Sequence, residues 1–114
     1  MECTNELKIG DIVVAKMPFS NLGGVKARPA LVVGITSWHE VILAMITSHD
    51  YRDEMGVPIP RECFLYAPAR FHNEIRPASL HTMSKAVIAK KVGHVKPSIL
   101  KEVQLKMRLA CGMS

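Results

Sequence analysis

Aromatic residues are scarce in this chain: one tryptophan, two tyrosines and three phenylalanines make up 5% of 114 residues, so no broad platform for stacking bases is encoded. The three cysteines, Cys3, Cys63 and Cys111, are odd in number and far apart. They form neither a disulfide framework nor a metal-ligand pair, which leaves a reduced, cytoplasmic setting as the simple expectation. Cys111, near the end of an apolar helical pattern, is expected in the core. No apolar run approaches the ~18 residues of a membrane span. The opening Met1-Glu2-Cys3-Thr4-Asn5-Glu6 lacks the basic start and apolar run of a secretory signal. The five histidines, His39, His49, His72, His81 and His94, show no HxH or HxxxH spacing, so no metal site is expected. Gly23-Gly24 leads into a strand rather than a helix, which argues against a phosphate-cradling nucleotide loop. There is no G-x-S-x-G elbow, no repeat, no linker and no low-complexity segment, and nothing calls for a cofactor.

What is present is one domain's worth of chain, residues 1–114, with 48% hydrophobic and 22% charged residues, the balance of an ordinary globular protein. The formal net charge is +5. An excess of this sign suits a polyanionic partner such as nucleic acid, and it equally serves solubility.

Lys8-Ile9-Gly10-Asp11 reads as a turn into a short strand, Ile12 to Met17, ended by Pro18. Phe19 to Ala27 is a glycine-bearing connection, either a ligand-contacting loop or a plain link. Val57-Pro58-Ile59-Pro60 is twice interrupted by proline and is at best an edge strand. Glu62 to Tyr66 is a plausible short strand, Arg70 to Pro77 a strand or loop, and Ser79 to Met83 a strand. Val87 to Val95 is another strand, with Lys91 and Gly93 suggesting a wet or edge face. Pro97 suits the first turn of a helix that carries Ile99, Leu100, Val103, Met107 and Ala110 on one face and stops at Gly112. The sum is a mainly β domain, short strands closing into a small barrel with a C-terminal helix packed on it.

The stretch from Arg28 to Ser48 stands apart. It reads as two strands, apolar on both faces, joined by a polar turn at Ser37-Trp38-His39. With the turn centred between Ser37 and Trp38, counting back along both strands sets Arg28 opposite Thr47. Residues directly opposite in an antiparallel pair lie about 5 Å apart at Cβ, close enough to hold one phosphate between them. A guanidinium can bind a phosphate bidentately and stabilise charge gathering on its oxygens, and Thr47 or Ser48 can hydrogen-bond the same oxygens. Cleavage of RNA needs little more, because the substrate's own 2′-hydroxyl is the nucleophile. A strand-end surface arginine beside a strand-end threonine cap accounts for the same residues.

Gly10-Asp11-Ile12-Val13, Pro18-Phe19-Ser20 and Arg28-Pro29-Ala30-Leu31-Val32 together resemble the start of MazF/PemK-type toxins. The resemblance continues through Ile46-Thr47-Ser48, Ile75-Arg76-Pro77 with Leu80-His81-Thr82, and Ala89-Lys90-Lys91-Val92-Gly93. It implies a small SH3-like β-barrel with a C-terminal helix, the CcdB-like fold, usually a homodimer. It also implies a metal-independent, sequence-specific endoribonuclease acting on single-stranded RNA (an mRNA interferase), paired with a cognate antitoxin. Carried across residue by residue, Arg28 and Thr47 match the family's catalytic pair. Ser20, Asn21, Lys26, Ser48, His49 and Arg76 would then line the RNA groove. Many relatives carry Ser-Glu-Gln or His-Glu in the first loop, where this chain has Asn21-Leu22-Gly23-Gly24. Some place an aspartate at the position of Ala78. The general base is therefore unassigned, with His49 and His81 as candidates by chemistry. A non-catalytic RNA- or protein-binding barrel, and a gyrase-poisoning toxin of the same fold, are the competing readings; the arginine and threonine argue against the second of these. The antitoxin is expected to carry an acidic, partly apolar tail.

Overall fold

The computed structural model describes residues 7–18, 24–68 and 70–112. Six strands, β1 (Asp11–Pro18), β2 (Val25–Ser37), β3 (Glu40–Thr47), β4 (Val57–Pro58), β5 (Glu74–Ser84) and β6 (Ile88–His94), precede one helix, α1 (Pro97–Ala110). They form one antiparallel sheet in the order β4-β5-β3-β2-β1-β6. The segment after β4 joins the two edges. Its Ile59 N–H donates to Asn73 O at 2.8 Å beside β5, and five residues on Phe64 bridges Gly93 of β6, with Leu65 N–H donating to Val92 O at 2.8 Å. That closes the sheet into the small barrel expected from the alternation of short strands.

Glu62 to Tyr66 is not the strand expected. Arg61–Cys63 is a single 3₁₀ turn, and Phe64 makes only an isolated bridge. A chain crossing from one edge to the other must turn, and Cys63 N–H to Pro60 O at 3.1 Å makes that turn. Gly93 is buried rather than wet. A Cβ there would stand 2.3 Å from the Cys63 carbonyl oxygen, so glycine is what lets the closing segment reach β6.

Hydrophobic residues fill both faces of the central strands. One layer contains Ile12, Leu31, Ala44, Ile46 and Ile75 and is closed by Val103 of α1. The other contains Val13, Ala15, Ala30, Val32, Val41 and Leu43, with Leu7 from the entering chain. Double burial is what the unbroken apolar run of β3 required. Ile99, Leu100 and Met107 pack half-buried beside Val103, but Ala110 and Cys111 are exposed, because the last helical turn runs past the barrel. Cys111 is thus no core residue. Gly112, at φ +72°, follows the helix as expected.

The β2–β3 hairpin turns at Trp38-His39, since Ser37 pairs with Glu40, one residue later than the count from sequence assumed. Two register shifts, one between Ile35 and Ser37 and one between Val32 and Gly34, then each absorb a residue. By Leu31↔Ala44 and Ala30↔Met45 the pairing has returned to the register first counted. Projected two residues further, it aligns Arg28 with Thr47. On the other side β2 begins at Val25, so Val25 to Ala27 belong to a ladder with β1 and not to the preceding connection.

Strand β5 unites the two stretches read separately as Arg70 to Pro77 and Ser79 to Met83. It carries a wide irregularity: Ala44 pairs with Leu80 but Ile46 with Ile75, so Arg76 to Ser79 stand against Met45 alone. Pro77, without an N–H to give, is tolerated inside that interruption.

The turn that enters β1 is held by Asp11, whose side chain is fully buried. Its carboxylate accepts Lys8 N–H at 2.8 Å and faces His94 Nδ1 at 2.7 Å and Lys91 Nζ at 3.2 Å. Gly10, at φ +102°, turns the chain there, donating to Val32 O and accepting from Val95 N–H. Breaking the closure tests its weight. Gly93→Ala is expected to lower stability by about 1–3 kcal/mol in denaturant melts, whereas Gly24→Ala, where an added methyl meets nothing within 4 Å, is expected to be nearly neutral.

Candidate active site

The register brings Arg28, near the start of β2, beside Thr47 at the end of β3, and both line one cavity of about 340 Å³. Met17, Met45, Ser79 and His81 share its wall, as do Tyr51 and Arg76. The Thr47 hydroxyl oxygen accepts the His49 N–H at 3.1 Å, which fixes the oxygen and leaves its own O–H to donate. Two further cavities adjoin. One, about 280 Å³, is reached across Arg28 and Thr47 and adds Lys26, Ser48, Arg70 and Asn73. The other, about 470 Å³, is reached across Tyr51, Arg76 and Ser79 and adds Met55 and Ala78. The three make a continuous track with the arginine–threonine pair at its middle.

Arg76 anchors one wing. Its Nη1 and Nη2 donate to Asp53 at 3.0 and 2.8 Å, Nη1 also bonds Glu74, and the guanidinium lies 4.4 Å over the Tyr51 ring. The Arg76 hydrogen bond holds the Asp53 carboxyl down at about 2, and Asp53 in turn raises Arg76 further above its already high range. Glu74 is 4% exposed and takes its other hydrogen bond from His72 Nε2 at 2.8 Å. Gly56 makes room for it: a Cβ there would sit 2.2 Å from Glu74 Oε2.

The expected groove residues divide. Lys26, Ser48 and Arg76 line the track. The His49 ring packs edge-on against Tyr51, centroids 4.3 Å apart, beside the track rather than in its lining. Ser20 and Asn21 lie outside the described residues. His81 is brought into the Arg28 cavity. Tyr51, Arg70, Asn73 and Ser79 were not singled out from sequence, since they reach the track from the charged loop after β3, from the segment leading into β5 and from the irregular part of β5.

Spacing along the chain also missed a cluster. Asp50, His72 and Glu74 offer three ligand atoms within 4.8 Å of one another, joined from a loop and a strand start. His72-x-Glu74, alternating on one face, was the available signal. A dication there would meet the Arg76 guanidinium already bonded to Glu74, so the cluster acts as an ion-pair network around a buried carboxylate.

The family model of PemK-like, MazF-like toxins of type II toxin–antitoxin systems matches residues 8–111. The chain belongs to this family. Its structure is similar to several solved toxins. A Deinococcus radiodurans MazE–MazF structure is 18% identical, with a TM-score of 0.75 over 95% of this chain and 98% of that one. The Mycobacterium tuberculosis toxin MazF-mt6 is 16% identical, with a TM-score of 0.72 over 91% and 98%. An endoribonuclease from mycobacterial species is 14% identical, with a TM-score of 0.71 over 92% and 90%. At these identities the likeness is one of fold. No curated protein matches the sequence. In this toxin no helix among the described residues is long and apolar enough to cross a membrane.

The Asp53–Arg76 link has a defined pH window. The Asp53 carboxyl is lowered from 3.8 to about 2 in the folded state, so its contribution is present above that ordinary value and is lost as pH falls towards 2. A carboxyl-detected NMR titration is expected to place Asp53 near 2 in the native toxin, and back in the ordinary carboxylate range in Arg76→Gln.

Proposed function

We propose that this toxin is a metal-independent, sequence-specific endoribonuclease that cuts single-stranded mRNA in the cytoplasm. The observation that carries the reading is the pairing of Arg28 and Thr47 in one cavity that opens onto a further cavity on each side. A scissile phosphate at the middle, with a nucleotide on either flank, has the shape of that track. The 2′-oxygen attacks phosphorus, the P–O5′ bond breaks, and the products are a 2′,3′-cyclic phosphate and a 5′-hydroxyl. Arg28 stabilises the charge gathering on the phosphoryl oxygens, and the Thr47 hydroxyl donates to one of them. The nucleophile belongs to the substrate, so the step requires no metal-bound water.

Lys26, Ser48 and Arg70 suit the RNA backbone on one wing, where donors track phosphates. Tyr51, Met55 and Ala78, beside Arg76, offer aromatic and apolar surface on the other, which suits a splayed base. The net charge of +5 adds long-range attraction for RNA.

A Deinococcus radiodurans MazF has been solved with MazE, and a mycobacterial endoribonuclease with its cognate antitoxin. By analogy this toxin pairs with an antitoxin whose acidic, partly apolar tail covers the track, and it acts as a homodimer. Such a complex is expected to weaken as salt is raised and to block cleavage.

A long RNA transcript incubated with the purified toxin in EDTA tests the reading. Discrete cuts with 5′-hydroxyl ends are expected, reduced about 10²-fold or more in Arg28→Ala and less severely in Thr47→Ala. RNA that is bound but left intact would assign the chain to the non-catalytic alternative instead.

A further inference from the structure

Cleavage through a 2′-hydroxyl requires an acceptor for its proton, and the arginine–threonine pair supplies none at neutral pH. We infer that His81 is that general base, an assignment that rests on the endoribonuclease reading above. His81 lies on β5 opposite Leu43 of β3 and lines the cavity that holds Arg28 and Thr47. The strands explain how it gets there. Leu43, Met45 and Thr47 alternate onto one face of β3, and His81, opposite Leu43, stands beside the interruption at Arg76 to Ser79, where β5 leaves the ladder next to Met45 and the cavity lies. It is exposed, so a proton taken from the substrate can pass on to water.

The other described groups at this cavity are poorly suited to the task. Arg28 from β2 and Arg76 from β5 carry guanidinium groups, which donate hydrogen bonds and accept none. Phenol and aliphatic hydroxyl groups, here those of Tyr51, Thr47 and Ser79, are weak proton acceptors, and Met17, Met45 and Ile46 have no proton to exchange. The nearby carboxylates are occupied: Asp53 by Arg76, and Glu74 by Arg76 and His72. His49 packs against Tyr51 beside the track. Imidazole is the side chain that exchanges a proton near neutrality, and His81 is the histidine in the cavity lining.

In the step itself His81 takes the 2′-hydroxyl proton as the 2′-oxygen–phosphorus bond forms. The P–O5′ bond breaks, the departing 5′-oxygen takes a proton from water, and His81 returns its own to solvent. Protons balance, and no co-reactant is consumed.

The test compares wild type, His81→Ala and His81→Gln on a long single-stranded transcript in EDTA, under single-turnover conditions from acid to alkaline pH. Affinity is read in parallel with a 2′-O-methyl copy of the cleaved segment, which binds but has no hydroxyl to attack. Expected are cutting about 10²-fold slower in both variants, unchanged affinity, loss of the acid limb of the wild-type pH–rate profile, and partial rescue of His81→Ala by added imidazole. Wild-type rates in His81→Ala, a loss carried wholly by affinity, or an acid limb that persists would overturn the assignment while leaving the endoribonuclease reading in place. Wild-type toxin that left RNA intact at every pH would overturn both.

Discussion

A carboxylate taken out of water must be answered by hydrogen-bond donors, and Glu74 imposes that condition on one end of this barrel. It sits at the start of β5, laddered to Thr47 on one side and to Pro58 on the other. Its two oxygens draw in His72 and Arg76. Arg76 then fixes Asp53 and the Tyr51 ring, and Gly56 is the residue that leaves space for the carboxylate. One buried charge therefore orders the loop after β3 and the start of β5, the two segments that frame Thr47.

Asp11 does the corresponding work away from the site, tying the chain's entry to β6 through Lys91 and His94. The two aspartate and glutamate anchors differ in surroundings. Asp11 joins backbone turn to edge strand next to the barrel closure at Gly93, so it serves the fold. Glu74 pairs directly with Thr47, so its network fixes both stability and the shape of the track.

Much of this was legible in the sequence. The doubly apolar strands forced a central, two-sided hairpin, and Pro97 and Gly112 marked the helix. The pairing of Arg28 with Thr47 was reached by a count whose turn centre was one residue off; two bulges then cancelled the error, because burial of both faces leaves the barrel little tolerance for a slipped register. Glu62 to Tyr66 misled, since its apolar residues serve a turn that crosses between edges. Cys111 misled because helical periodicity does not say where the barrel beneath the helix ends. The Asp50–His72–Glu74 cluster showed in the sequence only as His72-x-Glu74, because Asp50 joins from the loop after β3 once β5 pairs with β3.

The same network gives a physical reason to place the phosphate on Arg28 rather than on Arg76. A guanidinium has five N–H donors. Three of Arg76's hydrogen bonds go to Asp53 and Glu74, and one face of the group covers Tyr51. A phosphate drawing on Arg76 would compete with two carboxylates and be repelled by both at short range. Arg28 stands instead between two of the cavities, with Thr47 beside it in both. Arg76 keeps two donors, while its charge is largely cancelled where it stands. The two arginines thus differ in kind: Arg76 holds the framework's own negative charge in place, and on the reading proposed above Arg28 meets the charge that arrives with the substrate.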